Sequence, residues 1–200
     1  MNIKSKNIAA VAHRVSVQKR WRSNGHKGGV VWFTGLSGSG KTTLAFELEQ
    51  LLFDMGYQTY VLDGDNVRYG LSSDLGFSHE DRAENIRRIG EVASLFAEAG
   101  FIVISAFISP YREDRRLARQ TVGTEFHEVF LSADLEACEA RDPKGLYAKA
   151  RRGEIEDFTG ITAPYEEPED AEFRLDTGTL DIAECIDLLS KYVIKKLNTQ

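Results

Sequence analysis

The chain is poor in the features that mark membrane, disulfide-framed and nucleic-acid-binding proteins. No apolar run approaches the ~18 residues that would span a bilayer, and no signal-type apolar core precedes Val30, so the sequence reads as soluble and cytoplasmic with no membrane partner. There are two cysteines, Cys138 and Cys185, far apart and without metal-type spacing. Both fall on apolar faces of expected helices, which makes them reduced core residues. A formal net charge of −6 and a pI near 5.3 leave no broad basic surface for nucleic acid. The Asn-Lys-x-Asp signature of guanine recognition is absent, and so are internal repeats and low-complexity tracts.

Acidic residues are also missing from the beginning of the chain. Residues 1–46 hold Lys4, Lys6, Arg14, Lys19, Arg20, Arg22, Lys27 and Lys41 but no Asp or Glu. An acid-poor, Arg-containing start is one mark of an organelle transit peptide, but serine enrichment is lacking. The reading carried forward is a basic N-terminal arm over 1–27, packed on its own domain or on a partner subunit, ahead of one domain over 28–200. With 200 residues, 42% of them hydrophobic, the chain can bury one good core.

Short apolar runs alternate with helix-period segments. The runs are Val30 to Thr34, Tyr57 to Leu62, Phe101 to Phe107, Phe126 to Leu131 and Phe173 to Asp176, rich in aromatic and β-branched residues. That order predicts βαβ units and a mainly parallel five-stranded sheet. Between the runs, Leu44, Leu48, Leu51, Leu52 and Met55 recur at helical spacing ahead of Gly56. A second helix opens at Ser78, with Asp81 as a weak capping partner, turns Ile86, Ile89, Ala93 and Phe96 inward and stops at Gly100. A last helix, about Asp181 to Leu197, presents Ile182, Cys185, Ile186, Leu189 and Val193 on one face. The stretch 142–170 is charged, contains Pro143, Pro164 and Pro168 and shows little apolar period, which reads as a mobile lid.

The segment Gly35-Leu36-Ser37-Gly38-Ser39-Gly40-Lys41-Thr42, followed by Thr43, fits G-x-x-x-x-G-K-[ST] between an expected strand and an expected helix. Glycines let backbone N–H groups converge on phosphate, the lysine reaches the β and γ phosphates, and the hydroxyl of Thr42 ligates Mg²⁺. The pattern predicts ATP and Mg²⁺ as cofactors and an α/β fold of the P-loop NTPase type, a three-layer sandwich with a lid. The second strand ends in Asp63-Gly64-Asp65-Asn66-Val67-Arg68, at the sheet edge where ligands of open α/β folds sit. Two carboxylates and an arginine there suit transfer of a γ-phosphoryl group to a hydroxyl on an anionic acceptor.

The blocks "GLSGSGKTT", "DGDNVRYGLSSDLGFSHEDRAENIRRIGEVASLF", "ISPYREDRRLAR", "RDPKGLYAKAR" and "FTGITAPYEEP" resemble the adenylylsulfate kinase family over about Asn24 to Leu189. The resemblance implies phosphorylation of the 3′-hydroxyl of adenosine 5′-phosphosulfate with MgATP in sulfate assimilation, and a homodimer. It further implies that Arg68, Arg82 and Asn85 hold the phosphosulfate, that Phe77 and Phe158 sandwich its adenine, and that the backbone at Ile108 and Ser109, with Lys144, completes the acceptor pocket. Arg141 would lie near the ATP base, and the lid's Arg151 would help neutralise transferred charge. Lys41, Asp63, Asp65 and Ser109 are the catalytic candidates. Asp63 and Asp65 divide the base and metal-water roles in a way the sequence leaves open; Asp63, nearest the strand end, is favoured for chemistry, with Thr42, on the metal side. Ser109 has two readings. The family is associated with a phosphoserine there, whereas Ser109-Pro110 also looks like a helix start with Ser as N-cap and Pro at N1; a positioning role is favoured.

Departures from the family pattern are few: Thr42 in place of a frequent Ser, Tyr69 in place of a common His, and Glu156-Asp157 where Lys-Gly is expected. Two alternatives stand beside this reading. A phosphate-loop kinase of another small alcohol would tolerate loss of Arg68, Arg82 and Phe77, and a nucleotide-sensing module would show no turnover.

Overall fold

The computed structural model describes residues 7, 9 and 11–199; the basic residues Lys4 and Lys6 lie outside them. Five strands form one sheet in the order β2-β3-β1-β4-β5: β1 (Gly29–Thr34), β2 (Thr59–Asp63), β3 (Ile102–Ala106), β4 (Phe126–Ser132) and β5 (Phe173–Asp176). All four pairings are parallel, with Val31 of β1 opposite Ile104 and His127. The five expected runs are these five strands, with ends that move by a residue or two.

Parallel strands buried on both faces need apolar residues at successive positions, and β1 supplies them. Val31 and Phe33 join the core beneath α2 (Lys41–Asp54) and α8 (Ile182–Leu197), which also holds Leu48, Leu131 and Leu189. Val30 and Trp32 face the opposite core, under α4 (His79–Ala99) and α5 (Arg112–Val122), with Ile89, Val103 and Phe126. The result is helix, sheet, helix in three layers. Cys138 and Cys185 are both free and buried.

The helix-facing expectations need two corrections. Met55 and Ile182 are each 53% exposed. Met55 is the C-cap of α2, past the turn that meets the sheet, and Ile182, in the first turn of α8, lines a shallow groove with Glu47 and Leu51 instead. At the start of α4, Ser78 caps the Asp81 amide, but the Asp81 carboxylate accepts from Gly76 N, so the reciprocal bond of a full capping box is replaced by one that closes the preceding turn.

Shorter helices complete the chain: α1 (Val17–Asn24), α3 (Gly64–Tyr69), α6 (Leu135–Arg141) and α7 (Leu146–Arg151). Asn24 at the end of α1 donates to the Gly100 carbonyl, which docks the N-terminal segment on the end of α4. Segment 142–170 is more structured than its composition suggests. It contains α7, and Tyr147, Ala150 and Phe158 form a small buried cluster with Cys138.

Candidate active site

Parallel strands deliver their C-terminal ends to one edge, and the loops that follow β1, β2, β3 and β4 meet there. The phosphate loop turns at Gly38 and Gly40, with φ of 77° and 88°. Both values favour glycine. At Gly38 space matters as well, since a Cβ would lie 2.7 Å from the Cys138 carbonyl oxygen of α6.

Lys41, the first residue of α2, folds back over the loop and donates to the carbonyls of Gly35 (2.9 Å) and Leu36 (2.6 Å). Its ammonium is buried, and desolvation pulls its pKa down to about 8, partly offset by Cys138 and Asp63. Thr42 Oγ1 donates to Asp63 Oδ2 at 2.8 Å, while Asp63 Oδ1 accepts the Asp65 amide at 3.0 Å as the N-cap of α3. A hydroxyl and a carboxylate joined at the end of a phosphate loop are hard oxygen donors. They suit Mg²⁺, which takes one or two protein oxygens and fills its shell with phosphate and water. Among the described residues no cluster of three or more His, Cys, Asp or Glu side chains competes as a metal cage. Asp65 is exposed and ion-paired with Lys144, so two expected site residues from distant parts of the chain meet. Thr43 is exposed in the first turn of α2.

The anion-binding candidates converge on Phe77, which is 62% exposed. The Arg68 guanidinium lies 4.4 Å from the ring centroid and that of Arg82 at 5.8 Å. Burial lowers the pKa of both arginines, and the like charge of Arg82 adds to the effect on Arg68. Two crowded, partly desolvated cations are what an anion would relieve. Arg82 also reaches segment 142–170, donating to the Asp157 carbonyl (2.7 Å) and Thr159 Oγ1 (3.2 Å). Asn85, on the same helix, is buried and its Oδ1 has no hydrogen-bond partner.

One expectation, the Ser109 N-cap, is corrected here, and Phe158 and Arg151 sit in surroundings of their own. Phe158 is 7% exposed, its ring 5.0 Å from that of Tyr147 at 78°, so the two rings of the expected sandwich are not both open platforms; the exposed one is Phe77. Ser109 is not an N-cap: α5 starts at Arg112 with Tyr111 before it, and Ser109 has φ of 41°. Its hydroxyl accepts from Trp32 Nε1 at 3.1 Å and its carbonyl from Arg115 at 2.6 Å, while the Ile108 carbonyl accepts from Thr34 Oγ1 at 2.8 Å. Arg151 is paired with Glu139 and is exposed. Arg141 donates to the carbonyls of Thr177 and Gly38, at 2.6 and 3.4 Å, on the outer side of the loop.

Sequence reasoning missed the residues that brace this site. Arg115 is 2% exposed, is paired with Glu128, and donates to the carbonyls of both Ser109 and Glu166. Tyr165 shares a 2.9 Å hydrogen bond with Thr34, Thr177 Oγ1 donates to the Ser39 carbonyl at 3.0 Å, and Tyr147 donates to the Ser37 carbonyl at 2.9 Å. Arg115, Tyr147 and Tyr165 lie inside the quoted blocks, but nothing in their spacing separates a brace from a surface residue.

A model of the family described as Adenylylsulphate kinase matches residues 27–176. The adenylyl-sulfate kinase of Bacillus licheniformis is 61% identical over 186 residues, 92% of this chain and 94% of that protein. That of Prochlorococcus marinus is 55% identical over 197 residues, 96% and 97% of the two chains. Among solved structures, the Mycobacterium tuberculosis APS kinase in complex with AMPPNP and APS has a TM-score of 0.81 at 50% identity, covering 84% of this chain and 98% of that one.

Proposed function

The chain belongs to the adenylylsulphate kinase family, and from that premise we propose how its residues carry out the reaction. It is an ATP-dependent kinase that transfers the γ-phosphoryl group to the 3′-hydroxyl of adenosine 5′-phosphosulfate, giving 3′-phosphoadenylyl sulfate and ADP. The observation that carries the acceptor assignment is the Arg68 and Arg82 pair around the exposed Phe77 ring, at the same sheet edge as the phosphate loop. The guanidinium forks hold the phosphosulfate, and Asn85, buried on the helix that carries Arg82, would add its Nδ2 as a donor to the anion. Phe77 is the platform for the adenine, and Phe158 forms the wall on the lid side.

The loop amides and Lys41 hold the ATP phosphates, and Arg141 lies beside the nucleoside. Thr42 and, on the same side, Asp63 would hold Mg²⁺, which would neutralise charge on the phosphates during transfer. Asp63 takes the proton of the 3′-hydroxyl as that oxygen bonds to the γ-phosphorus and the bond to ADP breaks. Its two oxygens are already fixed by hydrogen bonds from Thr42 and Asp65. Asp65 and Lys144 form an ion pair that flanks the acceptor. Ser109 positions the acceptor loop and forms no phosphoester, since its hydroxyl is buried and engaged by Trp32. Direct in-line transfer needs no such intermediate.

Segment 142–170 closes over the site to exclude water, with Arg82 as its contact on α4. The chain works in the cytoplasm as a homodimer, with the basic arm over 1–27 ahead of the kinase domain over 28–200; among the described residues no helix is long and apolar enough to cross a membrane. The test is ADP release with adenosine 5′-phosphosulfate as acceptor, against adenosine 5′-monophosphate in parallel. Phosphosulfate-dependent ADP and a 3′-phosphorylated product are expected. Equal rates with both acceptors would remove the sulfate-recognition role of Arg68 and Arg82, and light scattering tests the dimer.

A further inference from the structure

The carbonyls of the phosphate loop are held by a set of donors. Lys41 takes those of Gly35 and Leu36, Tyr147 that of Ser37 at 2.9 Å, and Thr177 that of Ser39 at 3.0 Å. No peptide among the described residues is cis. In a trans peptide the carbonyl and the following N–H point to opposite sides. A donor that draws the Ser37 carbonyl outward therefore turns the Gly38 amide inward, to the side where phosphate binds.

Tyr147 stands out among these donors. It is fully buried although it belongs to the segment that crosses the site, and burial pushes its phenol up, so it remains a protonated donor. Its ring meets Phe158 at 5.0 Å, nearly perpendicular. One side chain thus touches the phosphate loop through its hydroxyl and the lid's aromatic residue through its ring. We infer that Tyr147 is a positioning residue that aims the Gly38 amide at the nucleotide phosphates through the Ser37 carbonyl and links that setting to Phe158 in the lid.

The inference rests on reading the loop as the nucleotide site, and it is tested on nucleotide binding alone, so failure of the acceptor assignment would leave it standing. Tyr147→Phe in the full chain keeps the ring and removes the hydroxyl. Isothermal titration with MgADP should show a Kd raised about three- to tenfold, the scale of one neutral hydrogen bond. The KM for adenosine 5′-phosphosulfate should stay within about twofold, and the Gly38 amide should exchange faster in the ADP complex. Tyr147→Leu, which also removes the ring contact, should raise the acceptor KM as well. Unchanged MgADP affinity and unchanged Gly38 exchange in Tyr147→Phe would overturn the inference, as would an equal loss of nucleotide and acceptor affinity in that variant. Should Tyr147→Leu fail to fold, Tyr147→Phe carries the test by itself.

Discussion

The Thr42 hydroxyl donates to Asp63 Oδ2 at 2.8 Å, which ties the first turn of α2 to the end of β2. Asp63 also caps α3 through the Asp65 amide, so one buried carboxylate fixes the relative position of the phosphate loop and of the helix that carries Asp65 and Arg68. A group that does both is placed for chemistry, because its position is set before substrate arrives.

Asp63→Asn keeps the shape and the capping oxygen but loses the charge and the proton-accepting power. Turnover should fall by roughly a hundredfold or more, on the scale of general-base contributions, with the thermal midpoint close to that of the parent. Coupled ADP release and a melting curve on the same preparation measure both. Turnover within about tenfold of the parent would take Asp63 out of the base role.

Acceptor recognition is expected to lie with Phe77. Because its ring is exposed, Phe77→Ala should leave stability within about 0.5 kcal/mol while weakening acceptor binding by about 1–3 kcal/mol, the range for a stacked base. The readout is the acceptor KM at saturating ATP. An unchanged KM with unchanged turnover would remove the ring from the site.

The legibility of these parts differs for physical reasons. All five strands could be read because buried parallel strands are continuous apolar runs, and α2, α4 and α8 because a long helix on a sheet repeats its apolar residues. Helix α5 is legible only as a start at Ser109-Pro110, two residues early, because its inward residues include Asp114 and Arg115, buried polar groups that break the apolar period. Helix α7 is short, and its buried face is Tyr147 and Ala150, too little for a pattern. Site residues with a local motif, such as Lys41 and Thr42, could be placed from the sequence. Those that act through a distant carbonyl, such as Arg115 on Ser109 and Tyr147 on Ser37, depend on chain crossings that no spacing encodes.

Lys41 sets a pH dependence. Its pKa in the folded protein is about 8, below its ordinary value, with burial the leading cause. The unfolded chain therefore holds the proton more tightly, so the penalty on stability is fully present below about 8 and is relieved as pH rises toward the unfolded value near 10.5. Nucleotide phosphates favour the ammonium and raise the pKa again. Binding of MgADP at pH about 8.5 should then take up a fraction of a proton and weaken as pH rises further. Titration calorimetry in two buffers of different ionisation heat detects the uptake. The same measurement near pH 6.5, where Lys41 is already charged, should show none from this group. Equal binding heats after buffer correction at both pH values would contradict the coupling.

His26 supports the opposite edge of the sheet. It is 2% exposed. Nε2 accepts the Gln58 amide at 3.0 Å, and Nδ1 lies 2.9 Å from the Lys27 carbonyl, so the tautomer with its proton on Nδ1 satisfies both. Lys27 N bonds to the Leu197 carbonyl, and His26 pairs with Asn198 in an isolated bridge. One imidazole thus joins the end of the N-terminal segment, the approach to β2 and the end of α8. His26→Phe fills the space but leaves the Gln58 amide and the Lys27 carbonyl without their partner, at about 1–3 kcal/mol for each buried group left unsatisfied. For a chain of this size, even the low end for the two groups together, about 2 kcal/mol, lowers the thermal midpoint by roughly 4–8 °C. The strands run away from His26 toward the phosphate loop, so the reacting residues lie at the far end of the sheet, and kcat measured well below the new midpoint should match that of the parent. An unshifted midpoint would show that water replaces both bonds. A fall in kcat at a temperature where the variant is folded would mean that the two edges of the sheet are coupled.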